Sequence, residues 1–310
     1  MKIYVAGHRG LVGSAIVRNI EAGQKHEWVG ASRQELNLFD KAAVDEYVKA
    51  TSPDAVIIAA AKVGGIGANS TLPVDFLNEN LKIQLNLMEA AHNNDVNRLL
   101  FLGSSCIYPK FANQPIKEEY LLTGELEPTN EPYAIAKIAG IKMVEAYARQ
   151  FNRDWISAMP TNIYGPGDNF NIESGHVLPT LINKFHTAKV EGKTTVELWG
   201  TGTPRREFLH ADDLAAACIH LLENYHLPTH VNVGTGEDIS IKDLATLIKD
   251  VVGFQGNIVW NSAKPDGTPR KVLDIDKIKA LGWSSQIELQ DGVAATYEWY
   301  LSQDQSNLRT

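Results

Sequence analysis

Four runs of this 310-residue chain, KIYVAG (2–7), DAVIIAAA (54–61), RLLFLGS (98–104) and WISAMPTN (155–162), are apolar with almost no alternation. A strand without alternation offers no face to water, so both its sides must be covered by other elements. The segments between these runs supply the cover. LVGSAIVRNIEAG (11–23), KAAVDEYVKA (41–50), a long stretch over 74–94 and EPYAIAKIAGIKMVEAYARQF (131–151) carry apolar residues at helical spacing. With EWVGA (27–31) as a further strand, the alternation predicts an α/β fold with a doubly wound parallel sheet.

After about residue 165 the alternation breaks down. Loops rich in glycine and proline (GPGDNF, WGTGTP, KPDGTPRK) separate what read as shorter helices, and HVNVGTG (230–236) reads as a strand returning to the sheet. The expected division is therefore 1–165 as a nucleotide-binding domain, with returns near 205–240. Residues 166–310 then form mainly a smaller α/β substrate lobe.

Composition narrows the function. The chain is 44% hydrophobic and 21% charged, as globular proteins are, and its net charge of -8 argues against nonspecific nucleic-acid binding. Two cysteines, Cys106 and Cys218, cannot build a disulfide framework, which points to a reducing, cytoplasmic setting. MKIYVAG lacks the features of a signal peptide, and no apolar run is long enough to span a membrane. No metal is expected.

GHRGLVG (7–13) follows the first strand and opens the first helix. Glycines there allow a tight turn and let a pyrophosphate approach a helix N-terminus. In such folds the end of the second strand chooses the cofactor, a carboxylate there favouring NAD. Here Ala31, Ser32 and Arg33 stand in that place, and an arginine beside a hydroxyl suits a 2′-phosphate. With Arg9 inside the glycine turn, NADPH is expected over NADH.

Tyr133 and Lys137, in YAIAK, lie one helical turn apart on one face. An ammonium so placed is expected to lower the tyrosine pKa, preparing it to exchange a proton with a carbonyl or alcohol oxygen. GSSCIYP (103–109) places Ser104 and Cys106 at the rim of the sheet. Cys218, in LAAACIHLL, reads as core, and His210 reads as structural.

GHRGLVG, AAAKVGG (59–65), GSSCIYP, YAIAK and PTNIYGP (160–166) together resemble the extended short-chain dehydrogenase/reductase superfamily, which implies a Rossmann-like sheet. Within it, GSSCIYPK, EPTNEPYAIAKIAGIK, MPTNIYGPGDNF, GTPRREFLHADD and KPDGTPRK resemble the GDP-L-fucose synthase family, from Met1 to about Trp299. The resemblance implies conversion of GDP-4-keto-6-deoxy-D-mannose to GDP-L-fucose with NADPH, by epimerisation at carbons 3 and 5 and reduction at carbon 4. Removing a proton alpha to a ketone needs a base poised near neutrality, and a thiol with an ordinary pKa of about 8.5 is close to that. Inversion needs a donor on the other face.

By that resemblance Cys106 is the base and His176 the acid. Tyr133 and Ser104 hold the ketone oxygen, and Lys137 binds the nicotinamide ribose. NADP(H) would be contacted by Gly7, His8, Arg9, Gly10, Leu11, Val12 and Gly13 in the glycine turn, and by Arg33 and Leu38 beyond the second strand. Further contacts would come from Leu102, Gly103, Ser104, Ser105, Lys137, Pro160, Thr161, Asn162, Ile163 and His176. Lys184, Trp199, Arg206 and Asp266 would meet the GDP-sugar, Arg206 being preferred to Arg205, with Arg270 and Lys271 as extras. A homodimer packed through the helices near 74–94 and 131–151 is also implied.

Two other readings stay open. A sugar-nucleotide 4-epimerase or 4-ketoreductase needs the tyrosine, lysine and serine but not Cys106 and His176. A non-catalytic dinucleotide-binding module needs neither set.

Overall fold

The apolar runs become strands where expected. In the computed structural model, which describes residues 1–264, 266–304 and 308, β1 (Lys2–Ala6) leads through α1 (Leu11–Gly23) to β2 (Glu27–Val29). Then follow α2 (Lys41–Thr51), β3 (Ala55–Ile58), α3 (Ile66–Thr71), α4 (Pro73–Asn93), β4 (Arg98–Leu102), α5 (Glu131–Phe151), β5 (Asp154–Pro160) and β6 (Asn162–Tyr164). The later part runs α6 (Val177–Val190), β7 (Thr195–Trp199), β8 (Arg205–Arg206), β9 (Phe208–His210), α7 (Ala211–Asn224) and β10 (Val231–Val233). It continues through β11 (Ile239–Ser240), α8 (Ile241–Val252), β12 (Asn257–Asn261), β13 (Arg270–Lys271), α9 (Asp276–Ala280) and α10 (Leu289–Ser302).

Six strands form one sheet in the order β10-β5-β4-β3-β1-β2, every pairing parallel. The register sets Ile57 between Val5 and Leu100, and every residue of β3 and β4 is buried. This is why the runs carry no alternation. The chain steps outward from β1 to β2, then returns past β1 to β3, so the order reverses beside β1. In open α/β sheets ligands bind at such a switch point, beyond the carboxyl ends of the strands. Right-handed crossovers put α1 on the face opposite α4. On one face α2 packs on α4 and α4 on α5, while on the other α1 packs on α7.

The later helices are not short. α6, α7 and α10 have 14 residues each against 13 in α1; the glycine- and proline-rich connections, not weak helices, break the rhythm there. β12 and β7 form a parallel ribbon, and β11-β8-β13 a small sheet. Phe170, Ile182, Phe185, Leu198, Leu244, Ile248, Val293 and Tyr300 bury a second core there. Leu214, Cys218 and Leu221 of α7, the valines of β10, and Leu273 join the first core under the large sheet instead. HVNVGTG is thus the returning strand, and Cys218 is fully buried.

Among the described residues no helix is long and apolar enough to cross a membrane, and no group of three or more histidines, cysteines or acids is placed to hold a metal ion.

Candidate active site

The site is assembled where β4 ends. Ser104 caps a single 3-10 turn over Ser105–Ile107, and its Oγ accepts the Cys106 N–H at 3.3 Å. This turn leaves Cys106 half-buried at the rim. α5 approaches from the side. A Cβ on Gly140 would lie 2.3 Å from the Phe101 ring, so the bare glycine lets the helix close on β4. That approach carries Lys137 inward until its Nζ donates to the Leu102 carbonyl at 2.8 Å. One turn earlier Tyr133 shares a hydrogen bond with the Ser104 hydroxyl, and its ring stands edge-on to Phe76 at 6.2 Å. Asn130, just before α5, donates from Nδ2 to Cys106 Sγ at 3.4 Å.

The electrostatics overturn one expectation. Lys137 does not acidify Tyr133. Burial raises the Tyr133 pKa, Cys106 raises it further, and the bond from Ser104 only partly offsets them. Lys137 is itself 3% exposed, and burial pushes its amine down to about 7. Its Nζ lies 5.8 Å from the centre of the Tyr133 ring. Spacing brought the two together, but the low dielectric works against both charges.

His176 stands at the N-cap of α6 and makes no capping hydrogen bond. Gly65, beyond β3, donates its N–H to the Ser174 carbonyl at 3.0 Å, which ties the segment before His176 to the carboxyl end of the sheet. The imidazole is exposed, yet the protein around it lowers its pKa by desolvation. No hydrogen bond joins His176 to Cys106 among the described residues.

The residues expected to meet the cofactor lie at the same edge of the sheet. Gly7 has φ +89°, and a Cβ on Gly13 would fall 2.1 Å from the Gly7 carbonyl, so this turn tolerates only glycine. No side chain caps α1, which leaves its first amides to an anion. Leu102 and Pro160 end β4 and β5, residues 103–105 and 161–163 follow directly, and Leu38 lies in the loop between β2 and α2. Asn162 Nδ2 and Thr161 Oγ1 both donate to the Glu207 carbonyl, at 2.8 and 3.3 Å. Arg33 lies exposed over Phe39, its guanidinium carbon 6.0 Å from the ring centre. The glycine turn, the uncapped helix and the basic end of β2 fit a 2′-phosphorylated dinucleotide.

A family model described as NAD dependent epimerase/dehydratase family matches residues 3–234. GDP-L-fucose synthase 1 of Arabidopsis thaliana is 56% identical over 300 residues, 97% of this chain and 93% of its own length. The chain belongs to the GDP-L-fucose synthase family. A GDP-L-fucose synthetase from Naegleria fowleri bound to NADP superposes with a TM-score of 0.92 at 28% identity, covering 100% of this chain and 96% of its own. A GDP-6-OMe-4-keto-L-xylo-heptose reductase from C. jejuni does so at 0.92 with 38% identity, over 98% of each chain.

Among the positions expected to meet the sugar nucleotide, Arg206 and Asp266 come together. Arg206 feels the charges of Asp266 and Cys106, and burial lowers its pKa. Arg205 and Arg270 are both held by Asp238, which leaves Arg206 to face the thiol. Asp266 accepts from the Thr201 amide and hydroxyl at 2.9 and 2.8 Å, and Trp199 beside it is 65% exposed under the Lys264 ammonium. Lys184, on α6, is half-buried with its pKa lowered by burial. A cavity lined by Lys117, Glu118, Lys142, His230 and Lys277 involves none of the expected site residues. His210 is structural, accepting the Asp212 N–H at 3.2 Å to cap α7.

Sequence reasoning did not single out Asn130, nor Glu35, whose carboxylate accepts the Ser32 N–H, nor Glu207, whose carboxylate accepts the amides of Thr235, Gly236 and Leu273. Asn130 was legible in EPTNEPYAIAK, one turn before Tyr133. Ser32-x-x-Glu35 is a capping-box pattern that could have located Glu35. Glu207 carried no signal, since its role depends on three distant backbone segments.

Proposed function

We propose that this chain converts GDP-4-keto-6-deoxy-D-mannose to GDP-L-fucose with NADPH, by 3,5-epimerisation and then 4-keto reduction. The observation that carries this reading is the Cys106 thiol, which receives the Asn130 amide and neighbours both Arg206 and the Ser104–Tyr133 pair. A simple ketoreductase needs only the hydroxyl pair.

As thiolate, Cys106 removes a proton alpha to the ketone and becomes a thiol. The electron pair moves onto the carbonyl oxygen, which the Ser104 and Tyr133 hydroxyls hold. His176, as imidazolium, returns a proton from the opposite face and becomes neutral; solvent resets both groups. NADPH, when bound, supplies the hydride for the carbonyl carbon. Tyr133 gives its phenolic proton to the oxygen, and the raised pKa keeps that proton in place until then. Lys137 anchors the ribose. Arg206 and Lys184 neutralise the diphosphate, Trp199 covers the guanine or sugar face, and Asp266 accepts hydrogen bonds.

Residues 1–165 hold the cofactor in this reading, and 166–310 mainly hold the sugar nucleotide. Exposed apolar residues on α4 and α5, Val74, Leu85 and Ile135 among them, support a homodimer through those helices. Two free thiols support a cytoplasmic setting.

Incubation of the keto sugar with enzyme in heavy water, without cofactor, tests the reading. Deuterium should enter at carbons 3 and 5. No deuterium, with ketone reduction intact once NADPH is added, would favour a 4-ketoreductase like the C. jejuni relative.

A further inference from the structure

The donors that suit a 2′-phosphate at the end of β2 already hold an anion of the chain's own. Glu35 Oε2 accepts the Ser32 N–H at 2.7 Å, and the Ser32 hydroxyl bonds to the same carboxylate. Arg9 and His8, from the glycine turn, act on it with their charges. Arg33 stands two residues away. Serine amide, serine hydroxyl and arginine form the set that would receive the phosphate, so the two anions compete for one group of donors. A carboxylate near the end of this strand is also what NAD sites use to accept the ribose 2′-hydroxyl.

We propose that Glu35 is a specificity-determining residue, an internal competitor of the NADPH 2′-phosphate that restrains the preference for NADPH over NADH. The proposal rests on the NADP(H) reading of this turn. Binding of NADPH displaces the Glu35 carboxylate from Ser32. Binding of NADH leaves it in place to accept from the 2′-hydroxyl. Glu35 is exposed, so the effect is moderate and weakens as salt screens the charges.

The test measures binding by calorimetry, using 2′,5′-ADP and 5′-ADP as probes beside NADPH and NADH. Glu35→Gln keeps an acceptor for the Ser32 N–H but removes the charge. It should tighten 2′,5′-ADP and NADPH by about threefold to tenfold, leave 5′-ADP unchanged, leave NADH unchanged or weaker, and lose most of the gain in 0.5 M salt. Glu35→Asp, folded and still charged, should resemble the wild type. Unchanged or weaker 2′,5′-ADP binding in a folded Glu35→Gln protein overturns the proposal. A shifted melting temperature with an unaltered NADPH to NADH ratio also overturns it, since that marks a purely structural cap. Wild type that binds 2′,5′-ADP no better than 5′-ADP would overturn the phosphate site as well, which separates the two failures.

Discussion

A phenol that keeps its proton can donate it, and burial makes Tyr133 such a phenol. Tyr133→Phe should therefore lower ketone reduction by about 10²–10⁴-fold, the usual worth of a positioned acid, as followed by NADPH oxidation. Cys106→Ser separates the two chemistries. Deuterium uptake at carbons 3 and 5 should fall by a comparable factor, about 10²-fold or more, while NADPH still binds with wild-type affinity. Lys137 yields a prediction about pH. Its pKa falls from 10.5 in the unfolded chain to about 7 in the fold, so between those values the unfolded state binds more protons. Stability from this group rises as pH climbs from about 7 toward 10.5, and its desolvation penalty is full below 7. Lys137→Met should accordingly gain in melting temperature over the wild type most at pH 6 and least near pH 10. A constant difference across that range would refute it.

α5 serves as a ruler laid along β4. Gly140 sets the distance between them, and Tyr133 and Lys137 mark positions on the same helix. Gly140→Ala should push the helix outward, costing about 1–3 kcal/mol in urea denaturation, the scale of an overpacked core. Phe101→Leu in the same chain should restore part of that loss. Helices and buried strands of this half were legible because their periods come from burial on one stripe or on both faces. α5 runs from Glu131 to Phe151, the span read from spacing alone. The lobe was less legible, because β8, β11 and β13 have two residues each and carry no period. The candidate site followed the same division. Ser104, Cys106, Tyr133 and Lys137 share one strand end and one helix, and local spacing reveals that. The raised Tyr133 pKa and the Glu35 carboxylate at Ser32 depend on what folding packs around them.

At the scale of the molecule, Val74 and Leu85 lie 11 residues apart on α4, three turns along one exposed face. Replacing both with glutamate should convert the proposed dimer to monomer in sedimentation equilibrium, with the deuterium exchange retained if each subunit carries a whole site. The seam between the sheet and the lobe is another matter. The Glu207 side chain accepts the amides of Thr235, Gly236 and Leu273, while its carbonyl holds Thr161 and Asn162. Partners from five residues thus converge on Glu207 and fasten the lead-in to β9 to the segments after β5, β10 and β13. Elsewhere along the carboxyl end of the sheet the Gly65 amide holds the Ser174 carbonyl, so the histidine proposed to return the proton rides on a segment pinned to the loop beyond β3 through backbone atoms, a bond that no side chain is needed to make.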